Sequence, residues 1–323
     1  MEKNVVLEAR NVKKYFPVRE GMGKIVNHVK AVDGVSVQLH KGETLGLVGE
    51  TGCGKSTLGR TLLKLLEPTD GEVLLNGNDI TSYGEKQMRP YRSEIQVVFQ
   101  DPYTSLNPRK KVGQILEEAL LIHGVKKEER QDAAMSILAQ VGLRREHYYR
   151  YPHEFSGGQR QRIGLARALV LNPRIVVCDE PVSALDVSIQ SQIINLLLNL
   201  QEQRELSYLF IAHDMSVVKY ISNRVGVMYL GHIVEEAATD DLFSMPMHPY
   251  AQALLSAVPS TNPHVRRKRI MLEGDVPSPL NPPSGCTFRE RCPYAMPVCA
   301  KEAPHEKEVT LGHKVHCFLY DKE

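Results

Sequence analysis

Short runs of apolar residues alternate along this chain with longer stretches in which apolar residues recur every three or four positions. The short runs are typical of strands and the longer stretches of helices. The predicted strands are Val5–Val12, Val32–Leu39, Thr44–Val48, Glu72–Leu75, Ile95–Gln100, Ile175–Cys178, Tyr208–Ala212 and Val225–Leu230. The predicted helices are Lys55–Leu66, Lys111–Gly142, Gln159–Leu171 and Ser188–Gln203. This alternation predicts an α/β fold with a mainly parallel, helix-covered sheet.

The pattern changes near Met245. Eleven of the 19 prolines follow this residue, most of them in GDVPSPLNPPSGCTF and the residues around it. Such a tract cannot form a helix or a central strand. We therefore predict two domains, residues 1–247 and a small, loop-rich C-terminal lobe of residues 248–323.

Positive and negative charges nearly balance. The 40 lysines and arginines against 38 aspartates and glutamates leave a formal charge of +2, so nucleic acid is not a predicted partner. The basic run Arg266–Arg269 is typical of a solvated linker. No apolar stretch approaches the ~18 to 20 residues of a membrane span, and the N-terminal residues are too charged for a signal peptide. We expect a cytosolic protein that reaches a membrane only through a partner.

A glycine-rich loop follows the predicted strand Thr44–Val48 and leads into the helix that begins at Lys55. This is the context that a phosphate-binding P-loop requires. Backbone N–H groups and the helix N-terminus would surround the phosphates of ATP, Lys55 would reach the β- and γ-phosphates, and Ser56 would bind Mg²⁺. The predicted nucleotide-binding residues of the loop are Gly49, Glu50, Thr51, Gly52, Cys53, Gly54, Lys55, Ser56 and Thr57.

Two acidic residues follow the apolar run Ile175–Cys178. Asp179 is predicted to hold Mg²⁺ beside Ser56. A second carboxylate next to the one that holds the metal can polarise the attacking water or accept its proton. Glu180 is therefore the predicted catalytic base.

Residues 155–169, FSGGQRQRIGLARAL, resemble the signature of the ATP-binding subunits of ABC transporters, which usually reads LSGGQ; Phe155 replaces the leucine. Hydroxyl and backbone donors at a helix start suit a γ-phosphate. The resemblance implies a P-loop NTPase core of the RecA type, with an antiparallel β subdomain and a helical subdomain at about residues 101–165. It also implies that the γ-phosphate of ATP held by the opposite subunit is bound by Ser156, Gly157, Gly158 and Gln159.

Further residues match motifs of this family. Gln100 matches a glutamine that senses the metal and the membrane partner, which makes it a third predicted Mg²⁺ ligand. His213 matches a histidine that contacts the γ-phosphate and the attacking water. With Glu180, these two residues form the catalytic set that the resemblance implies.

The family also implies how two subunits cooperate. Asp186, at the end of Ser183–Asp186, matches a residue that reaches across the dimer. Tyr15 matches the aromatic residue that stacks on adenine, with Phe16 as the alternative. Two ATP molecules would lie between the phosphate loop of one subunit and the signature of the other, so that closure completes both sites.

Four of the six cysteines lie in the proline-rich tail, at Cys286, Cys292, Cys299 and Cys317. In a reducing cytosol a metal site is favoured over disulfides. The spacing C-x5-C-x6-C-x17-C fits neither zinc fingers nor the ferredoxin motif, so spacing alone leaves the metal open. The alternative is four reduced thiols that pack a small lobe.

The tail sequences HPYAQALLSAVP and GDVPSPLNPPSGCTFRERCPYA, together with FQDPYTSLNPR (residues 99–109), are similar to those of oligopeptide/dipeptide importer ATPases. The similarity is greatest to the second of the two paralogous ATPase subunits of these importers. It implies a [4Fe–4S] cluster on the four tail cysteines that folds the lobe without redox work. It also implies contact with the membrane subunit near Tyr103 and Leu106.

The resemblance predicts an ATPase, with ATP and Mg²⁺, that powers peptide import from the cytoplasmic face of the membrane. Its predicted partners are a paralogous ATPase subunit, two transmembrane permease subunits and, indirectly, an extracytoplasmic binding protein. The same role for nickel chelates, glutathione or oligosaccharides is an alternative. Soluble ABC ATPases of repair, chromosome organisation or translation are a further one, although Lys55 and Ser156 lie too close in sequence for their coiled-coil insertions. A catalytically inactive subunit is disfavoured because Lys55, Glu180 and His213 match the active pattern.

Overall fold

The structure is a computed structural model that describes residues 4–21, 23–258 and 269–321. The basic residues 266–268 and Pro259 lie outside the described residues. The described strands are β1 (Val5–Glu20), β2 (Lys24–His40), β3 (Thr44–Val48), β4 (Asp70–Leu75), β5 (Asn78–Asp79), β6 (Ile95–Val98), β7 (Ile175–Asp179), β8 (Ser207–Ile211), β9 (Arg224–Tyr229), β10 (His232–Ala238), β11 (Glu306–Thr310) and β12 (His313–His316).

The described α-helices are α1 (Lys55–Leu62), α2 (Glu85–Met88), α3 (Pro102–Ser105), α4 (Val112–Ile122), α5 (Lys127–Gln140), α6 (Gly157–Leu169), α7 (Val187–Arg204), α8 (Met215–Ile221), α9 (Thr239–Ser244) and α10 (Pro249–Ser256). Short 3₁₀ helices occupy Tyr91–Ser93, Arg145–Tyr149, Pro152–Glu154, Pro297–Ala300 and Phe318–Tyr320. The chain divides into two compact units. The first contains Asn4, His40–Glu43 and Ser82–Ile211, and the second contains the described parts of Val5–Leu39, Thr44–Thr81 and Ala212–Glu323.

The first unit combines parallel strands with helices. Its strands lie in the order β6-β7-β8, and both neighbouring pairs are parallel, for example with Val176 opposite Tyr208. Helices α4, α5 and α6 pack against one another around fully buried side chains such as Leu116, Leu138 and Ile163. All five residues of β7 are buried, which explains its continuous apolar run. The predicted parallel arrangement is confirmed for these strands.

The second unit contains an antiparallel sheet and a mixed one. The antiparallel sheet has the order β2-β1-β4-β5, and β1 pairs antiparallel with β4. In the mixed sheet, β3 runs parallel to β9, which continues through antiparallel pairs to β10, β12 and β11. Buried side chains of Leu47, Leu58 and Val227 form part of its core.

Several predicted elements differ in their bounds from those observed. Strands β1 and β2 are longer than the predicted Val5–Val12 and Val32–Leu39. The single helix predicted for residues 111–142 is two helices, α4 and α5, because Gly124 adopts a φ of 79° between them. The helix that begins at Lys55 ends at Leu62 rather than Leu66, and Lys64 adopts a left-handed φ of 53° just beyond it. Apolar periodicity continues through both breaks and could not locate them.

The tail is less irregular than predicted, because it contains the hairpin of β11 and β12. Strand β12 extends the sheet by pairing with β10, with Val315 opposite Glu235. At this junction the fully buried His313 Nε2 lies 2.7 Å from Glu235 Oε1. The same carboxylate accepts the N–H groups of Met247 at 2.8 Å and His248 at 2.7 Å. Glu235 therefore joins the hairpin to the segment that precedes α10.

His248 caps α10 with its ring. Its Nδ1 accepts the backbone N–H of Tyr250 at 3.1 Å, and the residue is only 1% exposed. Burial, with a smaller contribution from His316, lowers the pKa of His248 to about 3. The cap therefore requires the neutral ring.

We expect His248 to make the protein acid-sensitive. Its folded pKa is depressed below the unfolded value of ~6.5, so the unfolded state binds a proton that the folded state excludes. The contribution to stability is complete above pH 6.5 and falls as the pH decreases toward about 3. Between pH 7 and pH 5 the loss is about 2 kcal/mol, measured by denaturant unfolding at both pH values.

The matched variant His248→Asn keeps an acceptor at the helix start but cannot titrate, so its stability should fall less between the two pH values. His305→Asn removes an exposed histidine and should keep the wild-type pH dependence. Equal pH dependence in the wild type and His248→Asn would contradict this assignment.

Candidate functional site

Two glycines of the predicted phosphate loop lie close to the backbone of neighbouring segments. Gly49 adopts a φ of 151°, and a Cβ there would lie 2.1 Å from the carbonyl oxygen of Met228. Gly54 adopts a φ of 109°, and its Cβ would lie 2.0 Å from the carbonyl oxygen of Ala31. Both positions therefore require glycine. The loop connects the fully buried strand β3 to the N-terminus of α1.

Lys55 is folded into this loop. Its Nζ donates to the carbonyl oxygens of Gly49 at 2.7 Å and Glu50 at 3.0 Å, and the residue is 5% exposed. The Cys53 thiol lies 3.6 Å from the same nitrogen, and burial raises the pKa of this thiol. An ammonium group held among backbone groups of a glycine-rich loop can bind phosphate oxygens. Among the other loop residues, Thr51 and Gly52 are exposed, while Ser56 and Thr57 are partly buried.

Glu50 has partners that the motif did not predict. Its backbone N–H donates to the Tyr250 hydroxyl at 2.8 Å. Its carboxylate accepts two hydrogen bonds from the Arg291 guanidinium, at 2.8 Å and 3.1 Å. These partners lie 200 and 241 positions away, so no local sequence signal could have revealed them.

Tyr15 lies on β1 and is partly buried. Its hydroxyl donates to Asp33, and burial together with this carboxylate raises the pKa of Tyr15. The ammonium of Lys30 lies 5.6 Å from the centre of the Tyr15 ring, and that of Lys14 lies 5.1 Å from the Phe16 ring. The adenine-stacking role stays a prediction for Tyr15 and for the alternative, Phe16.

The structure brings together two of the predicted catalytic residues in the first unit. The side-chain amide of Gln100 donates to Glu180 Oε2 at 2.9 Å. Glu180 adopts a left-handed φ of 49°, with its backbone N–H bonded to the carbonyl oxygen of Ile211 at 3.0 Å. Asp179, at the end of β7, is 2% exposed. Because β6 and β7 are parallel, the residues that follow them lie at one edge of the sheet.

The signature residues form the start of α6. The Ser156 side chain accepts the backbone N–H of Gln159 at 3.4 Å, and the Gln159 side chain accepts the N–H of Ser156 at 3.1 Å. This capping box fixes the helix start. A Cβ at Gly158 would lie 2.5 Å from the Ile189 side chain. Phe155 is buried against His147, which agrees with an apolar replacement of leucine.

Two further candidates are exposed. Asp186 is the N-cap residue of α7 and belongs to the first unit. His213 comes two residues after the end of β8 and belongs to the second unit. Lys55 and Tyr15 also belong to the second unit, whereas Gln100, Asp179, Glu180 and the signature belong to the first.

Comparison with known proteins gives the family context of this arrangement. Residues 32–183 match the family described as "ABC transporter", and residues 234–299 match "Oligopeptide/dipeptide transporter, C-terminal region". The chain is 55% identical over 320 residues to the "Oligopeptide transport ATP-binding protein AppF" of Bacillus subtilis, covering 98% of this chain and 97% of the relative. It is 53% identical over 319 residues to the "Dipeptide transport ATP-binding protein DppF" of Escherichia coli, covering 98% and 95%.

The chain belongs to the family of ATP-binding subunits of oligopeptide and dipeptide ABC transporters. Solved structures support the ABC ATPase fold of this chain. The cbiO1 protein of Clostridium perfringens superposes with a TM-score of 0.65 at 25% identity, covering 75% of this chain and 92% of that one. The dimeric post-hydrolysis structure of the ATP-binding cassette MJ0796 with ADP and Pi has a TM-score of 0.64 at 27% identity, covering 72% and 98%.

Members of this family hydrolyse ATP, and the chain is an ATPase with the P-loop fold of ABC proteins. The roles of individual residues in the nucleotide site stay predictions. In the described part of the chain, no helix is long and apolar enough to cross a membrane.

The four tail cysteines of this ABC ATPase lie within electrostatic reach of one another. Burial raises the pKa of Cys317 to about 11, with smaller contributions from Cys292, Cys286 and Cys299. The backbone N–H of Cys286 also donates to the carbonyl oxygen of Cys299 at 2.8 Å. Within residues 4–21, 23–258 and 269–321, however, no group of three or more His, Cys, Asp or Glu side chains is arranged to hold a metal ion.

Of the two predicted membrane-subunit contacts, only Tyr103 is accessible. Tyr103 is 63% exposed, and its ring lies 4.0 Å from the Arg160 guanidinium. Leu106 is 2% exposed, so its predicted role as a contact with the membrane subunit is wrong. Its apolar side chain contributes to the core instead.

Proposed function

We propose that this ATPase powers the import of dipeptides or oligopeptides as the second of two paralogous ATPase subunits. The observation that carries the proposal is the identity of more than 50% to two peptide-transport ATP-binding proteins across nearly the whole chain. The match extends through the C-terminal region that characterises this transporter group. It therefore favours peptide transport over a soluble ABC ATPase of another process.

The proposed assembly is a heterodimer with the paralogue at the cytoplasmic face of the inner membrane. Two transmembrane permease subunits would anchor the pair, and an extracytoplasmic binding protein would deliver the peptide. The absence of a membrane-spanning helix in the described residues is consistent with peripheral attachment. The exposed ring of Tyr103 is a candidate contact for the permease.

In the proposed nucleotide site, residues 49–57 bind the phosphates and Tyr15 stacks on adenine. The side-chain amide of Gln100 donates a hydrogen bond to Glu180. Ser56, Gln100 and Asp179 are the proposed Mg²⁺ ligands. A hydroxyl, an amide oxygen and a carboxylate form an oxygen donor set that suits this ion. The Mg²⁺ ion would neutralise charge on the phosphates of ATP.

Glu180 is the proposed base that polarises the attacking water. The hydrogen bond from Gln100 and the backbone bond to Ile211 fix the position of its carboxylate. His213 is the proposed residue that contacts the γ-phosphate and the attacking water. Across the dimer, Asp186 and the signature donors of Ser156–Gln159 would complete the pocket that holds the partner's ATP.

We also propose that the chain forms two domains, residues 1–247 and 248–323. The four tail cysteines would stabilise the smaller domain by binding a metal cluster. Four thiols in one lobe are a donor set that fits a [4Fe–4S] cluster, and their mutual effect on pKa supports proximity. Within the described residues they are not arranged as a metal site. Bound there, the cluster would supply structural cross-linking.

Anaerobic reconstitution with iron and sulfide should yield a brown protein with about four iron atoms per chain. Cys299→Ala should lower the iron content strongly. Cys178→Ala, on the buried strand β7, is the matched control and should retain it. Absence of iron after reconstitution of the wild type would contradict the cluster and favour four reduced thiols.

Transport itself is tested in vesicles that carry the complete transporter. Labelled dipeptides and longer peptides should accumulate only with ATP, and not when this chain carries Glu180→Gln. Accumulation of a nickel chelate, glutathione or an oligosaccharide without peptide uptake would identify one of the alternative cargoes. Failure of the chain to associate with the permeases would favour a soluble ATPase.

A further inference from the structure

The C-terminal lobe makes a direct ionic contact with the phosphate loop. Arg291 Nη1 lies 2.8 Å from Glu50 Oε2, and Nη2 lies 3.1 Å from Oε1. The side chains are 8% and 27% exposed, so the pair is mostly shielded from water. A bidentate pair of this kind fixes the orientation of the carboxylate as well as its position.

A second contact holds the backbone of the same residue. The Tyr250 hydroxyl accepts the Glu50 N–H, and Tyr250 is fully buried. Its ring packs 4.7 Å from that of Tyr229 and 5.5 Å from that of Phe288, measured between centroids. The Arg291 guanidinium lies 5.9 Å from the centre of the Tyr229 ring. The support behind Glu50 is therefore a packed cluster.

Glu50 connects these contacts to Lys55, the residue predicted to reach the phosphates. Its carbonyl oxygen accepts a hydrogen bond from Lys55 Nζ at 3.0 Å, and the carbonyl of the preceding Gly49 accepts a second. A shift of Glu50 would displace both acceptors. Arg291, Glu50 and Lys55 thus form a continuous chain of contacts within one unit.

We propose that Arg291 is a positioning residue for the ATP site. Through its ion pair with Glu50, Arg291 holds the phosphate loop in the conformation that presents Lys55 to the phosphates of ATP. The C-terminal lobe thereby sets the affinity of the ATPase for its nucleotide. This inference rests on the proposed role of residues 49–57 as the phosphate loop. It assigns the C-terminal lobe a function in the nucleotide site.

The competing explanation is that Arg291 only stabilises the lobe. The chain offers a matched control in Arg289, two positions away. Arg289 donates to the Ser284 hydroxyl at 2.7 Å and to the Ala300 carbonyl at 3.3 Å. These are contacts within the lobe, so Arg289→Gln tests loss of lobe stability without a direct change at Glu50.

The experiment measures the affinity of the full-length chain for fluorescent Mg²⁺-ATP, together with its thermal midpoint. The variants are Arg291→Gln, Arg291→Lys, Glu50→Gln, the double variant Glu50→Gln/Arg291→Gln, Arg289→Gln and Lys55→Ala. We expect Arg291→Gln and Glu50→Gln each to weaken affinity about tenfold, because one charge-assisted contact is lost. The double variant should also lose about tenfold, since both changes break the same contact. Arg291→Lys keeps the charge and should retain part of the affinity.

Three results would overturn the proposal. These are wild-type affinity in Arg291→Gln, a loss of about a hundredfold in the double variant, or an equal loss in Arg289→Gln. If Arg291→Gln does not fold, Glu50→Gln compared with Arg289→Gln decides the question in the same way. Unchanged affinity in Lys55→Ala would instead refute the assignment of the phosphate loop itself.

Discussion

ATP hydrolysis by the assembled transporter is expected to fall about 10²- to 10⁴-fold when Glu180 is replaced by glutamine. The amide has nearly the same shape as the carboxylate but cannot accept a proton from water. The oxygen of the substituted side chain can still accept the hydrogen bond from the Gln100 amide, so the local structure should persist. ATP affinity should change little, because the predicted phosphate contacts come from other residues. Steady-state phosphate release and equilibrium ATP binding measure the two quantities separately.

The control is Glu202→Gln, which changes an exposed glutamate of α7. It should leave both quantities at wild-type values. Wild-type turnover in Glu180→Gln would remove this residue from the chemistry and leave another group to activate the water. A parallel loss of ATP affinity and turnover would point to damage of the nucleotide site rather than to a missing base.

The purified chain alone, held as a monomer, should hydrolyse ATP about 10³- to 10⁵-fold more slowly than the assembled transporter. The reason is that groups which stabilise the transferred phosphoryl group would come from the signature of a second subunit. Light scattering establishes the monomeric state at each ATP concentration, and phosphate release gives the rate. Turnover at the transporter rate by a proven monomer would contradict the shared site.

It can also be tested whether the signature of this chain binds the ATP held by its paralogue. In a complex with the paralogue, Ser156→Arg in this chain should prevent trapping of ATP in the paralogue's pocket while nucleotide binding at Lys55 persists. Arg145→Gln, an exposed change in the 3₁₀ helix that precedes the signature, is the control. If Ser156→Arg impaired only the pocket of its own chain, the arrangement across two subunits would be wrong.

The structural features predicted correctly from sequence are those whose signals are local. The loop between β3 and α1 was located because strand, glycines and helix are adjacent in the chain. The start of α6 was predicted within two residues, at Gln159 instead of the observed Gly157. The parallel strands β6 and β7 were visible as apolar runs. Residues that follow them, Gln100 and Glu180, therefore could be expected near one sheet edge.

Other features depended on contacts between distant parts of the chain. The burial of Leu106 was not visible, because its neighbours in FQDPYTSLNPR are polar and proline-rich. The tail hairpin was missed because β11 alternates exposed and partly buried positions without an apolar run. Its pairing with β10 and the buried contact of His313 with Glu235 compensate for that weak local preference.

The sequence by itself determined the chemistry of this protein, since the order of phosphate loop, signature and acidic strand end is written in short, contiguous motifs. Only the tertiary structure decided which residues support the phosphate loop. Tyr250 and Arg291 reach Glu50 from 200 and 241 positions away, and only folding brings them to it. The physical reason is that a hydrogen bond or ion pair depends on distance in space, whereas a motif records only distance along the chain.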